Sequence, residues 1–411
     1  MSGLRNNGIR LLLRPTALTV ALLTTLTSPV SPAEAAGTAE PVVRQSAPAR
    51  GFKHPGVLLS RTQLNRLRKR AKAGGEWRSS FAAMRHSRYG SLDYTARPER
   101  IVECPPDDRP GYGCVEERQD AIAAYTHALL WYVTRDRAHA RKAVQIMDAW
   151  SAVVREHTEG NAGLQAAWAG SSWARAAEIM RHTYGGWPRN RVRRFSGMLR
   201  TVYLPEVTAT APDYNGNWDL TMTDAAMGIS VFLDDRRGFD KAVRRFRARV
   251  PAYFYLRSDG PLPKRPPGSH IRTPDRTREY WFGQRRFVNG LGQETCRNFT
   301  HIGYSLAATA HIAETAWHQG LDLYGGEAGK RMRAALTLHA RYQLGAHVPH
   351  WLCGGNLDLA MGPDTEVALN HFRNRQGISM PQAQRAAQRL RKVGTDDLFV
   401  AWEALTHAKN R

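Results

Sequence analysis

The stretch Gln293–Tyr324, QETCRNFTHIGYSLAATAHIAETAWHQGLDLY, reads as one long helix followed by a loop. At 3.6 residues per turn, Glu294, Arg297, His301 and Tyr304 stand at i, i+3, i+7 and i+10 and share a face. Phe299, Ile302, Leu306, Ala310, Ala313 and Trp317 occupy the opposite face and read as core. A polar row on a helix is usually a solvated stripe. A solvated stripe, however, favours Lys and Glu in i,i+4 pairs, whereas His and Tyr are semi-buried types. The row is therefore read as one wall of a cleft.

Outward from this stretch the chain is helix after helix. The apolar spacing predicts helices over Arg61–Ala73, Trp77–Arg85, Glu117–Thr134, Arg137–Glu156, Gly163–Thr183, Pro188–Val202, Leu220–Leu233 and Phe239–Arg249. Beyond the opening stretch they resume at Ala328–Leu344, Pro381–Lys392 and Asp396–His407. Sustained period-2 alternation is lacking, and the connections are of hairpin length, so the class is all-α, built from antiparallel helix pairs. Residues 250–293 are rich in Pro, Gly and Arg and read as a long irregular loop, which inside a domain is usually functional.

The 411 residues carry 59 Lys and Arg against 36 Asp and Glu, a formal charge of +23 spread along the chain. That excess favours a polyanionic partner. At the N-terminus, Arg5 and Arg10 precede an apolar run, Leu11–Leu26, and then a small-x-small pattern ending near Ala35. This reads as a signal peptide over 1–36, followed by a Pro/Ala-rich linker over 37–52 and a single domain over 53–411. The run is too short for an anchor and is interrupted by Arg14. An exported protein, secreted or periplasmic, makes nucleic acid and a membrane poor partners and an acidic polysaccharide a good one. Four cysteines in such a chain imply two disulfides: Cys104 with Cys114 around a Pro/Gly/Asp loop, and Cys296 with Cys353. Neither these cysteines nor any His cluster has zinc-site spacing, and the reading implies no metal and no cofactor.

The second constellation is Asp213-Tyr-Asn215-Gly-Asn217-Trp218-Asp219. Asn217 reads as a helix N-cap, and an Asn beside a Trp can also present its amide to a carboxylate under the indole. Arg286 in the long loop is a candidate anion contact, and His371, near Glu366 and Arg373, a candidate at the cleft border.

Four segments together resemble the alginate lyase superfamily of polysaccharide lyases: HPGVLLSRTQLNRLR, NGNWDLTMTDAAMGISVF, QETCRNFTHIGYSLAATAHIAETAWHQGLDLYGG and EVALNHFRNRQGISMP. The resemblance implies an incomplete (α/α) toroid or barrel with a cleft, and β-elimination on a uronate-containing polysaccharide, alginate or glucuronan first. It also implies roles. Asn217 looks like the neutralising Asn, His301 like the His of the long helix, Arg297 like its nearby Arg and Tyr304 like the catalytic Tyr, with Tyr280 and Tyr342 as alternatives. Trp218 stands where one branch of the family has a His. Trp218, Asn215, Arg286 and His371 are the substrate-binding candidates.

The chemistry asks for the same set. Removing the C5 proton beside an ionised carboxylate requires hydrogen bonds or a cation to offset the charge, from Asn217 and from Arg297 or a protonated His301. A base must take the proton and an acid must protonate O4. Tyr304 serves as both if proton and leaving group share one side of the ring, and His301 is the base if they do not. Two other readings use the same fold: a non-catalytic acidic-glycan-binding protein, and a glycoside hydrolase, which needs two facing carboxylates, with Asp219, Asp224 and Glu294 as candidates.

Overall fold

The computed structural model describes residues 51–105, 110–209 and 213–411; the expected signal peptide and the expected linker as far as residue 50 lie outside them. Contacts divide the chain into residues 1–49 and 50–411, and the second unit alone is described below.

Helices α1 (Arg61–Ala73) and α2 (Gly75–His86) lead in, and Ser60 caps α1 in a reciprocal capping box with Gln63. Then come α3 (Cys114–Thr134), α4 (Arg137–Val153), α5 (Ala162–Thr183), α6 (Arg189–Met198), α7 (Leu204–Thr208), α8 (Gly216–Phe232) and α9 (Arg236–Arg249). After a short α10 (Pro274–Tyr280) the chain continues through α11 (Phe299–His318), α12 (Gly326–Gln343), α13 (Glu366–Leu369), α14 (Pro381–Leu390) and α15 (Glu403–Thr406). Two three-residue strands, β1 (Ile101–Glu103) and β2 (Glu156–Thr158), pair in parallel; three residues are too few for a period-2 pattern to register.

Burial sorts the helices into two layers. Helices α3, α5, α8 and α11 are buried on nearly every face and rich in Ala, Gly, Ser and Thr, which lets neighbouring axes approach closely. Helices α4, α9 and α12 bury one stripe each and keep a charged outer face. The inner helices pack in the order α3, α5, α8, α11, and each outer helix packs on the inner helix beside it in sequence. The fold is an incomplete (α/α) toroid, as the resemblance implied.

Cross-helix contacts fix the direction of the inner layer. Starts meet starts: Gln165 Nε2 donates to Glu117 Oε2 at 2.7 Å, and a Cβ on Gly216 would touch Ser305 Oγ at 3.2 Å. Middles meet middles: Arg175 Nη2 donates to Asp224 Oδ2 at 2.7 Å, and His311 Nδ1 lies 3.4 Å from the same oxygen. The inner helices therefore run parallel, and their N-terminal ends gather at one face. Both expected disulfides are present, Cys104–Cys114 and Cys296–Cys353.

Three expectations need correction. The long helix begins at Phe299, not near Glu294, because Asn298 caps it and residues 293–298 form a turn, so Glu294 and Arg297 share no helix face with His301. Trp317 is exposed rather than core. The closing helix is only Glu403–Thr406, because the Asp396 carboxylate accepts three backbone N–H groups, from Leu398, Phe399 and Val400, and holds that segment as a loop.

Candidate active site

At the face where the inner helices start, the turn before α11 and the start of α8 are locked together. The α8 start presents N–H groups with no intrahelical acceptor. Asn215 is the N-cap by position, but its side chain caps nothing; Asn217, expected as the cap, is already inside the helix. The acceptors come from the 293–294 turn instead. Gly216 N–H donates to Gln293 Oε1 at 3.0 Å and Asn217 N–H to Glu294 Oε2 at 2.9 Å. Gln293 Nε2 returns a bond to Asn215 Oδ1 at 2.9 Å.

Glu294 is the hub. It is fully buried and accepts from Asn217 Nδ2 at 2.6 Å, Arg297 Nη1 at 2.9 Å and Ser305 Oγ at 3.3 Å. Burial pushes its carboxyl upward, against the hydrogen bonds of Asn217 and Arg297. Asn217 is itself only 1% exposed. Arg297 keeps a third of its side chain in solvent (34%), leaving guanidinium donors for an anion.

His301 is oriented by its neighbour. Asn298 Oδ1 accepts the backbone N–H of His301 at 3.0 Å, which identifies that atom as the amide oxygen. The same oxygen lies 2.6 Å from His301 Nδ1. An amide oxygen only accepts, so Nδ1 carries the proton and Nε2 presents a lone pair. Burial, and secondarily the Arg297 charge, lowers the imidazole to about 4. His301 is thus neutral at pH 7, a base and not a charge-neutralising cation.

Tyr304 sits one turn on, its ring edge-to-face with His301 at 5.9 Å and with Phe399 at 6.0 Å. Its hydroxyl has no hydrogen-bond partner among the described residues. Burial first, then the Asp396 and Asp364 carboxyls, pushes the phenol up, with Arg118 opposing, so it stays protonated. Of the alternative tyrosines, Tyr280 donates its hydroxyl to the Tyr214 carbonyl at 2.6 Å, and Tyr342 is buried.

The remaining candidates divide. Trp218 is half-buried, its ring 4.7 Å from that of Tyr214, at the same helix start. Arg286 is exposed and stacks over Trp351 at 4.9 Å. That pair sits at the rim held by the Cys296–Cys353 bridge, where Gln284 bonds both the Trp351 carbonyl and the Cys353 N–H. His371 is not brought to the site. It is buried and stacked on Tyr324 at 3.6 Å, beside the Glu314–Arg375 pair toward the far end of α11. The carboxylates a hydrolase would use are committed: Asp219 to Arg245 and Arg249, Asp224 to Arg175, Glu294 to Asn217 and Arg297.

Sequence reading missed Arg118, Trp168, Asp364 and Asp396. Arg118, buried, stands over the Trp168 ring at 5.7 Å. Asp364 lies directly under α11, where a Cβ on Gly303 would meet its Oδ2 at 2.1 Å. Burial and the nearby Asp396 and Glu403 keep its carboxyl protonated. No local pattern marks these residues, because Arg118, Asp364 and Asp396 act on Tyr304 from distant segments and Trp168 is placed only by its contact with Arg118. Cavities of about 940 Å³ beside α12 and about 680 Å³ beside Trp402 are lined by none of the His301, Tyr304, Arg297 and Asn217 side chains.

Residues 82–265 match the family model described as alginate lyase. Over these residues the chain is similar to that family. The fold is similar to that of alginate lyase A1-III from Sphingomonas species A1, at a TM-score of 0.55 and 16% identity over 81% of this chain and 91% of that one. It is also similar to an alginate lyase from Bacteroides ovatus, at a TM-score of 0.53 and 12% identity over 82% and 96%. A histidine-to-alanine variant of A1-III complexed with tetrasaccharide matches at a TM-score of 0.55 and 16% identity over 79% and 91%. A search of curated proteins returns no match.

Proposed function

We propose that the protein is a secreted lyase that cleaves a uronate-containing acidic polysaccharide, alginate or glucuronan, by β-elimination. The observation that carries this reading is the protonation pattern of two adjacent side chains. His301 offers a lone pair at Nε2, set by Asn298, and Tyr304 beside it holds a proton on a hydroxyl that has no partner among the described residues. An elimination needs that complement of base and acid, with a cation near the substrate carboxylate.

In the proposed reaction, the Arg297 donors not engaged by Glu294 pair with the C5 carboxylate, and the Asn217 amide acts behind them by fixing Glu294, which orients Arg297. On a uronate whose H5 and O4 lie on opposite faces, Nε2 of His301 removes the C5 proton, the freed electron pair forms the C4–C5 double bond, and the C4–O4 bond breaks; where they share a face, Tyr304 carries both proton transfers. Tyr304 delivers its proton to the departing O4. Water then returns the proton balance, taking one from His301 and resupplying Tyr304. Trp218, and the Arg286–Trp351 pair at the rim, serve as stacking and anion contacts for flanking sugars. The +23 charge draws the polyanion to the protein. The A1-III variants complexed with tetrasaccharide support an oligosaccharide ligand for this fold. Export rests on the N-terminal 36 residues, and N-terminal sequencing of protein from the culture medium or periplasm tests it.

The activity test is a panel of polyuronates followed by the far-ultraviolet absorbance of the unsaturated product. Cleavage of at least one polymer, lost in Tyr304→Phe, is expected. Binding without absorbance change would make this a glycan-binding protein, and saturated products with new reducing ends would make it a hydrolase.

A further inference from the structure

At the opposite end of the toroid from the candidate active site, three side chains aim metal-ligating atoms at one point. Glu178 and His182 are one turn apart near the end of α5, and His54 comes from the segment before α1. His54 Nδ1 lies 3.0 Å from Glu178 Oε1, and His182 Nε2 lies 3.5 Å from the same oxygen. All three ligand atoms fall within 4.8 Å of one another. Metal–ligand bonds of about 2.0–2.1 Å in a tetrahedral site put neighbouring ligand atoms roughly 3.3 Å apart. The two measured separations bracket that value.

The surroundings orient these atoms as a second layer around a metal does. Asp234 Oδ1 lies 3.0 Å from His54 Nε2 and accepts its proton, which leaves Nδ1 as the atom facing Glu178. The backbone N–H of Gly56 donates to Glu178 Oε2 at 2.9 Å; His54 Nδ1 lies 3.1 Å from that oxygen and 3.0 Å from Oε1, the oxygen that His182 also faces. His182 Nε2 is buried and makes no hydrogen bond. A neutral imidazole nitrogen facing a buried carboxylate oxygen at 3.0 Å puts two lone pairs together, so a cation must stand between them: a second proton on His54, or a metal ion. His182 Nε2 faces the same carboxylate oxygen at 3.5 Å, so one ion at that point would be shared by both imidazoles and Glu178.

We propose that His54, Glu178 and His182 bind a divalent transition-metal ion of the zinc type, which pins the segment leading into α1 to the back of the toroid. Solvent supplies the fourth ligand through the open side, where the His54 and His182 side chains are 14% and 22% exposed while Glu178 is fully buried. The two imidazole planes are parallel with centroids 4.2 Å apart, so metal binding turns one ring toward the other. His182, the more exposed of the two, has the room to turn. The ion lies away from His301 and Tyr304 and takes no part in the elimination.

The test is calorimetric titration of Zn²⁺ into tag-free, chelator-treated full-length protein. Co²⁺ titration in parallel reads tetrahedral coordination from its visible absorption. A single saturable equivalent is expected, with Kd on the order of 1 µM or tighter and a raised Tm. His182→Ala, which removes only a partly exposed ligand, should weaken binding at least about tenfold and abolish the Tm gain. Asp234→Asn should weaken it about 10- to 100-fold with the metal-free Tm nearly unchanged. No saturable binding would overturn the proposal and leave His54 as an imidazolium bridging Glu178 and Asp234. Equal Kd in the parent and His182→Ala would overturn it as well, by placing the ion elsewhere.

Discussion

Asn298 Oδ1 accepts from both the backbone N–H and the ring Nδ1 of His301, at 3.0 and 2.6 Å. One amide oxygen thus starts the inner helix α11 and selects the tautomer of the proposed base. Asn298→Ala removes both functions. It should cost about 1 kcal/mol of stability through the lost cap and lower kcat by about 10- to 100-fold through a freed imidazole. Asn298→Asp keeps the cap but adds a negative charge, which favours the imidazolium. Its acid limb in kcat/KM should therefore move to higher pH. An unmoved limb would show that Asn298 does not set the protonation of His301.

The lowered His301 value gives a pH prediction of definite sign. A base held at about 4 stays competent through mildly acidic conditions, and kcat/KM of the free protein should fall only as pH drops through about 4. The same depression acts on stability. The unfolded imidazole takes its proton near 6.5 and the folded one near 4, so His301 withdraws stability as pH falls across that interval and contributes no change above it. Arg297→Gln removes the charge that opposes protonation, and the acid limb should rise. It should also raise KM, because the carboxylate loses its cation. The pH profile of the variant separates these two effects.

Whether a residue's place can be read from the sequence depends on how far along the chain its partner lies. His301, Tyr304 and Arg297 were legible because they lie within one turn and one helix start, so local spacing brings them together. The helix boundary was misplaced because Glu294 satisfies the start of α8, a contact across 77 positions that no periodicity reports. His371 was misplaced for the converse reason: its neighbours in sequence are polar, yet the fold stacks it on Tyr324. Asp364 and Arg118 left no signal, since their relation to Tyr304 exists only after α3 and α11 have packed into the same toroid. The His54–Glu178–His182 cluster likewise spans 124 positions between its first two members, far outside the spacing of local metal motifs.

The lock between α8 and the 293–298 turn should be severe to break. Glu294→Ala leaves the Asn217 N–H and amide without their acceptor in a site closed to water, and strips Arg297 of its orienting partner. The cost should be on the order of 2–4 kcal/mol, measured by urea denaturation. Glu294→Gln retains an acceptor oxygen and should lose less. Equal stability of the Ala variant and the parent would mean that the lock is not holding the start of α8.

The hydroxyl of Tyr304 and that of Tyr280 should respond differently to removal. Tyr280 spends its proton on the Tyr214 carbonyl, so Tyr280→Phe should lower stability by about 1 kcal/mol and leave kcat within a few-fold. The Tyr304 hydroxyl has no hydrogen-bond partner among the described residues, so Tyr304→Phe should leave the denaturation midpoint nearly unchanged and reduce kcat by at least about 100-fold. The reverse pattern would transfer the acid role to Tyr280.

Separate base and acid residues also carry a stereochemical consequence. When one phenol does both tasks, H5 and O4 must lie on the same face of the sugar, as in mannuronate and glucuronate. When His301 takes the proton and Tyr304 protonates the leaving oxygen, the two can act from opposite faces, as guluronate requires. The protonation pattern, a neutral imidazole beside a protonated phenol, favours the second arrangement. Guluronate-rich blocks should accordingly be cleaved with kcat/KM at least about tenfold above mannuronate-rich blocks, and His301→Ala should remove that activity. Faster cleavage of mannuronate blocks or of glucuronan, with residual activity in His301→Ala, would instead assign both proton transfers to Tyr304 and leave His301 to position it.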